Sequence, residues 1–185
     1  MPPVTVRALH ETARVVGPPW PAGRTVRAWD YKQKRALVIA FLHAECELCG
    51  AWLGELRGAA ATLAEREAVA LVVFADAPDA RVVERVPANM VMGVDVNGRG
   101  IAAYLGKQAL GRAGLAKTGV FVTDRYGELY AAWESEHEAG ARMGAGVGRV
   151  TDRPLQLPPV EEVLSWLAQI QIACEECYSP HWPAE

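Results

Sequence analysis

Two runs of the chain are apolar without alternation, "ALVIAFL" at 36–42 and "AVALVVFA" at 68–75. Both are short and rich in aliphatic residues, which predicts strands buried on both faces. Between them, from about Glu47 to Arg66, the spacing becomes helical. Cys49, Leu53, Leu56, Ala60 and Leu63 step by four, three, four and three and form one apolar stripe. "RVVERV" (81–86) predicts a short helical stretch, "ANMVMGVD" (88–95) a third strand, and "VNGRGIAAYLG" (96–106) a turn and a short helix. "TGVFVTD" and "ELYAAWE" flank "RYG", a hairpin signal. A last helix begins near Pro159, with Glu161 and Glu162 in its first turn to suit the dipole.

Strand, helix, strand, helix, strand, helix, hairpin, helix is the order of an α/β domain with a mostly parallel central sheet and an antiparallel edge. The Pro/Gly-rich start, with "GPPWPAGR", predicts an irregular arm over residues 1–24. The core is expected over 25–134. A Gly-rich flexible connector follows over 135–158, and a C-terminal helix and tail of the same domain over 159–185.

The chain has 185 residues, half of them apolar, enough for one domain with a real core. A net charge of −3 offers no basic field for a nucleic-acid backbone, so nucleic acid is not expected as a partner. The longest apolar runs fall well short of the roughly 18 to 20 residues that a membrane span needs. With no secretory h-region visible at the start, a cytoplasmic protein is expected. Four cysteines are too few for a disulfide framework, but they fall in two C-x-x-C pairs. In a reducing compartment that spacing reads as redox or metal chemistry.

The first pair lies in "FLHAECELCG" (41–50), directly behind the first buried strand. Cys46 therefore falls at the helix N-terminus, where free backbone N–H groups and the dipole favour a thiolate. The thiolate is the attacking species in disulfide exchange. Cys49 lies one turn further on, on the apolar stripe, and is expected to be the shielded, resolving thiol. Glu45 and Glu47 flank Cys46 and oppose its ionisation, which predicts a more reducing couple. A protonated His43 within reach would offset them.

"RTVRAWDYKQKRALVIAFLHAECELCGAWLGEL" resembles the opening of thioredoxin-like redoxins of the alkyl hydroperoxide reductase/thiol-specific antioxidant (AhpC/TSA) type. In that family a "G-K-T-V-x-L-x-D-Y" lead precedes an apolar strand, C-x-x-C and a helix. "GVDVNGRGIAAYLG" and "TGVFVTDRYGELYAAW" resemble its later D-x-x-G-x-x-A-x-x-Y helix and F-x-x-D-x-x-G hairpin. The likeness covers roughly residues 22 to 170 and implies a thioredoxin-like fold, a central mixed sheet flanked by helices. Two departures stand out. Thioredoxins carry Trp before the first cysteine and a cis-proline facing the pair; here Glu45 and Thr118 occupy those positions. Peroxiredoxins carry P-x-x-x-T-x-x-C. Ile39 and His43 stand at the matching distances before Cys46, and Leu42 and Cys46 before Cys49.

Val163, Leu167, Ile170, Cys174 and Cys177 repeat the four-three-four-three spacing, so the second pair continues the buried stripe of the last helix. In a regular helix i,i+3 Cβ atoms lie about 5–6 Å apart, too far for a disulfide unless the helix unwinds at Cys177. A separate disulfide or redox relay, two buried thiols, and zinc on Cys46, Cys49, Cys174 and Cys177, or joined by His181, stay open for this pair.

The sequence thus predicts a thiol–disulfide oxidoreductase with Cys46 as nucleophile, Cys49 as resolving thiol, and no organic cofactor. Its partners would be a disulfide-containing protein or a small thiol or peroxide substrate, together with a thiol reductant. A homodimer is compatible with the sequence. The alternatives are a redoxin-type peroxidase acting through Cys46, and a non-catalytic thioredoxin-fold module whose cysteines hold zinc.

Overall fold

The computed structural model describes residues 1–12, 21–111, 114–115, 117–136 and 157–172. Among these residues nine strands form in chain order: β1 Thr5–Ala8, β2 Thr25–Arg27, β3 Ala36–Phe41, β4 Ala68–Phe74, β5 Met90–Val94, β6 Leu110–Gly111, β7 Gly114–Leu115, β8 Lys117–Thr123 and β9 Leu129–Glu136. Four α-helices accompany them: α1 Glu47–Gly58, α2 Ala60–Glu65, α3 Arg99–Leu105 and α4 Val160–Ile172. Seven strands make one sheet in the order β2-β1-β5-β4-β3-β8-β9, and β6 and β7 pair separately. β3, β4 and β5 are parallel, whereas β8 runs antiparallel to β3 and β9 antiparallel to β8.

The unbroken apolar runs follow from this layering, because both faces of the central strands are covered. Val38, Ala40, Leu42, Ala70, Val72 and Phe74 face α1, α2 and α4 through Leu53, Leu56, Leu63, Val163 and Leu167. Leu37, Ile39, Phe41, Leu71 and Val73 face the opposite side, against Tyr31, Ile101 and Leu105. On that side Phe41, Tyr104 and Phe121 form a ring cluster with centroids 4.9 to 5.9 Å apart.

Two acidic side chains build the turns that the sequence motifs marked. Asp95 accepts the Ile101 N–H at 2.9 Å, and Gly98 takes φ +62 ahead of α3. Asp124 accepts the Tyr126 and Glu128 N–H groups at 2.9 and 2.7 Å, closing the β8–β9 hairpin.

Four expectations need correction. The arm over residues 1–24 is not wholly irregular: β1 pairs with β2 and β5, and Val4, Val6 and Ala8 are buried. The single helix over 47–66 is two, α1 and α2, divided at Ala59, which takes φ −86 and ψ 9 beside the weak helix former Gly58. "RVVERV" gives only a 3-10 turn over Ala80–Val83. Arg85 has φ +51, and Val86 precedes Pro87, which disfavours helical backbone there. The expected connector overlaps the end of β9, and residues 137–156 lie outside those described.

Candidate active site

Because β3, β4 and β5 are parallel, their C-terminal ends share one edge of the sheet, and the loop carrying the first cysteine pair rises there. Leu42 anchors it by donating its N–H to the Val73 carbonyl at 3.0 Å. Residues 43–46 then turn. The Cys46 N–H donates to the His43 carbonyl at 3.4 Å, and the Glu45 N–H donates to His43 Nδ1 at 3.1 Å. His43 therefore acts as an acceptor at the first position of the turn, the role that Asn or Asp usually fills.

Cys46 is the N-cap of α1, in extended backbone with φ −89 and ψ 118. Its carbonyl accepts the Gly50 N–H at 2.9 Å, and its sulfur accepts the Cys49 N–H at 3.3 Å. A cysteine sulfur thus takes the capping place that a Ser or Asp oxygen fills elsewhere, and it sits in the field of the helix N-terminus. Cys46 is half-buried, whereas Cys49 is only 1% exposed.

Burial, chiefly, pushes the Cys49 thiol up to about 12, and its hydrogen bond to the Cys46 side chain adds to the effect. Cys49 is consequently held as a thiol at neutral pH, next to the more accessible sulfur. It packs in the core with Trp52, Leu53 and Val160. The helical stripe of the sequence predicts this difference in burial between Cys46 and Cys49.

The remaining candidate residues divide. Glu45 and Glu47 are exposed on either side of Cys46. His43 comes to the pair, but through its role as an acceptor at Nδ1, which requires the ring to be unprotonated at that nitrogen. Thr118 is buried in β8, next to Gly119, which pairs with Phe41 at the end of β3. Its hydroxyl donates to the Ser135 carbonyl at 3.5 Å. Cys174, Cys177 and His181 lie outside the described residues, and with them the second redox pair and the four-cysteine zinc site. Among the described residues, no three His, Cys, Asp or Glu side chains gather where a metal ion could be held.

Sequence reasoning missed the His43 turn bonds, whose only sequence signal is a polar acceptor two residues before the Glu45 N–H that it caps. It also missed Trp52 as a strut. The Trp52 indole N–H donates to the Pro158 carbonyl at 2.7 Å and ties the start of α4 to the helix that carries both cysteines.

The model of the AhpC/TSA family matches residues 17–132, more than half of the chain and all of the region around the pair. The chain belongs to the AhpC/TSA family. Comparison with curated protein sequences returns no match. Solved structures resemble this redoxin in fold. AhpC of Enterococcus faecalis aligns with a TM-score of 0.62 at 19% identity, covering 96% of this chain and 93% of that one. AhpC of Mycobacterium tuberculosis gives 0.60 at 18% identity, covering 96% and 95%. The thioredoxin domain of a thiol-disulfide oxidoreductase from Bacteroides vulgatus gives 0.51 at 13%, covering 75% and 87%. The redoxin is accordingly a thioredoxin-like α/β protein. Among its described residues, no helix is long and apolar enough to cross a membrane.

Proposed function

We propose that this redoxin reduces disulfides through the Cys46/Cys49 dithiol. The asymmetry of the pair carries the reading: a half-buried sulfur at a helix tip, accepting the Cys49 backbone N–H, beside a Cys49 thiol sealed in the core. The Cys46 thiolate attacks one sulfur of the substrate disulfide, forming a mixed disulfide and expelling the other sulfur as a thiolate. Cys49 then gives up its proton and attacks Cys46 Sγ. The second substrate thiolate leaves, and a Cys46–Cys49 disulfide remains. Two electrons pass from the dithiol to the substrate, and an external thiol reductant restores them. A reducing compartment such as the cytoplasm supplies that reductant.

Family membership favours a second reading, in which the electrophile is a peroxide. Cys46 would take one oxygen as a sulfenic acid and release the alcohol or water. Cys49 would then condense with it, expelling water and giving the same disulfide. The sequence lacks the Pro and Thr of the peroxidase motif at the positions of Ile39 and His43, which supports the disulfide as substrate.

The test is turnover with an insulin-type disulfide and with hydrogen peroxide, for the wild type and Cys46→Ser. Disulfide reduction that Cys46→Ser abolishes supports the first reading, and peroxide consumption abolished in its place supports the second. Turnover of both substrates unchanged in Cys46→Ser removes Cys46 from the chemistry.

A further inference from the structure

The turn that delivers Cys46 is organised by one residue. The His43 carbonyl holds the Cys46 N–H at 3.4 Å, and its Nδ1 holds the Glu45 N–H at 3.1 Å. The Cys46 sulfur in turn holds the Cys49 N–H at 3.3 Å. Of the two acceptors that His43 supplies to the turn, only Nδ1 belongs to its side chain, so it is the one that a substitution removes.

We propose that His43 is a positioning residue for the resolving half of the reaction, its Nδ1 locking the 43–46 turn so that Cys46 Sγ stays within reach of Cys49. This rests on the dithiol reading. Attack by Cys46 on an outside disulfide needs only an accessible sulfur at the helix tip. Resolution needs two sulfurs brought together in a fixed relation, with Cys49 buried in the core. A loosened turn lets Cys46, now carrying the substrate, swing away from the helix. Resolution is therefore the step that pays for a missing Nδ1.

Asn carries an acceptor at the first position of a turn that reaches the same N–H two residues on, whereas Ala carries none. His43→Asn and His43→Ala therefore separate the hydrogen bond from any other property of the imidazole.

The test uses the full chain with Cys174→Ser and Cys177→Ser, reduced and mixed with 5,5′-dithiobis(2-nitrobenzoic acid). Attack by Cys46 releases one equivalent of thionitrobenzoate, and resolution by Cys49 releases the second. In His43→Ala the first release stays near the unsubstituted rate. The second slows about five- to tenfold, the kinetic scale of one lost hydrogen bond. His43→Asn restores it. Equal slowing of both releases, no slowing, or a His43→Asn variant as slow as His43→Ala overturns the proposal. Cys46→Ser in the same background reports on the dithiol reading separately. A fast first release that survives it sinks that reading, whatever the His43 variants do.

Discussion

Trp52 and Pro158 are 106 residues apart in sequence, yet the indole N–H of one donates to the carbonyl of the other at 2.7 Å. Trp52 stands one turn beyond Cys49 on α1, and Pro158 lies two residues before the start of α4. α4 then runs along the same layer, and near its other end Gln171 Oε1 accepts from Arg66 at 3.1 Å. The helix that carries the cysteines is thus held from outside by a helix pinned at both ends.

Trp52→Phe keeps most of the apolar volume and removes the donor, leaving the buried Pro158 carbonyl without it. A loss of about 1–3 kcal/mol in unfolding free energy is expected. Urea titration measures it, with Trp52→Tyr as a variant that keeps a polar tip in another place.

The Cys49 thiol supplies a pH dependence. Its folded value is raised from an ordinary 9.0 to about 12, so the unfolded chain loses this proton at a lower pH than the folded one. The associated stability is complete below about 9 and is lost as pH climbs toward 12. Tyr31 and Tyr104, also raised by burial from an ordinary 10.0, add to the decline at higher pH. Unfolding free energy measured between pH 8 and pH 10, under reducing conditions, is expected to fall for the wild type and to stay flatter for Cys49→Ala.

His10 works in the opposite direction. Its Nε2 accepts the Met92 N–H at 3.1 Å, and its Nδ1 lies 2.7 Å from the Glu11 carbonyl, an arrangement that fits the neutral ring. Burial, and then the Arg57 charge, lower its value below the ordinary 6.5. The unfolded chain therefore takes up a proton first on acidification, so this stability is present above about 6.5 and is lost as pH falls. His10→Ala is expected to cost about 1 kcal/mol at pH 8 and less at pH 5, read from urea midpoints at the two values.

Gly119 sits beside Thr118 where the sheet meets the cysteine loop. A Cβ there would lie 2.6 Å from Leu105 Cδ2 and 2.9 Å from Phe121 Cε2. Gly119→Ala is expected to lower stability by about 1–3 kcal/mol through overpacking, seen as a drop in the thermal midpoint.

What the sequence made legible follows from the range of the forces involved. β3, β4 and the stripe on α1 were readable because burial on one or two faces writes a period directly into the chain. Cys46 and Cys49 were placed by the same period. β1 was not, because "VTVRA" shows only a brief alternation of Val4, Val6 and Ala8, and the pairing with β5 that buries it comes from residues far away. The break at Ala59 and the 3-10 turn at Ala80–Val83 were hidden by apolar spacing that suits a longer helix. Thr118 was located by likeness to the family, but its bond to Ser135 depends on hairpin register. The bond that His43 Nδ1 accepts from the Glu45 N–H was not legible, since a ring nitrogen that accepts from a backbone two residues on leaves no periodic trace.

The central claim is that Cys46 attacks and Cys49 resolves, and trapping the intermediate tests it most directly. Full-length Cys49→Ser protein, with Cys174→Ser and Cys177→Ser, is mixed with a substrate disulfide, quenched with acid and digested for mass spectrometry. A stable mixed disulfide on the peptide that contains Cys46 is the expected result. A chain that turns over the same disulfide in wild-type form but carries no adduct at Cys46 would contradict it.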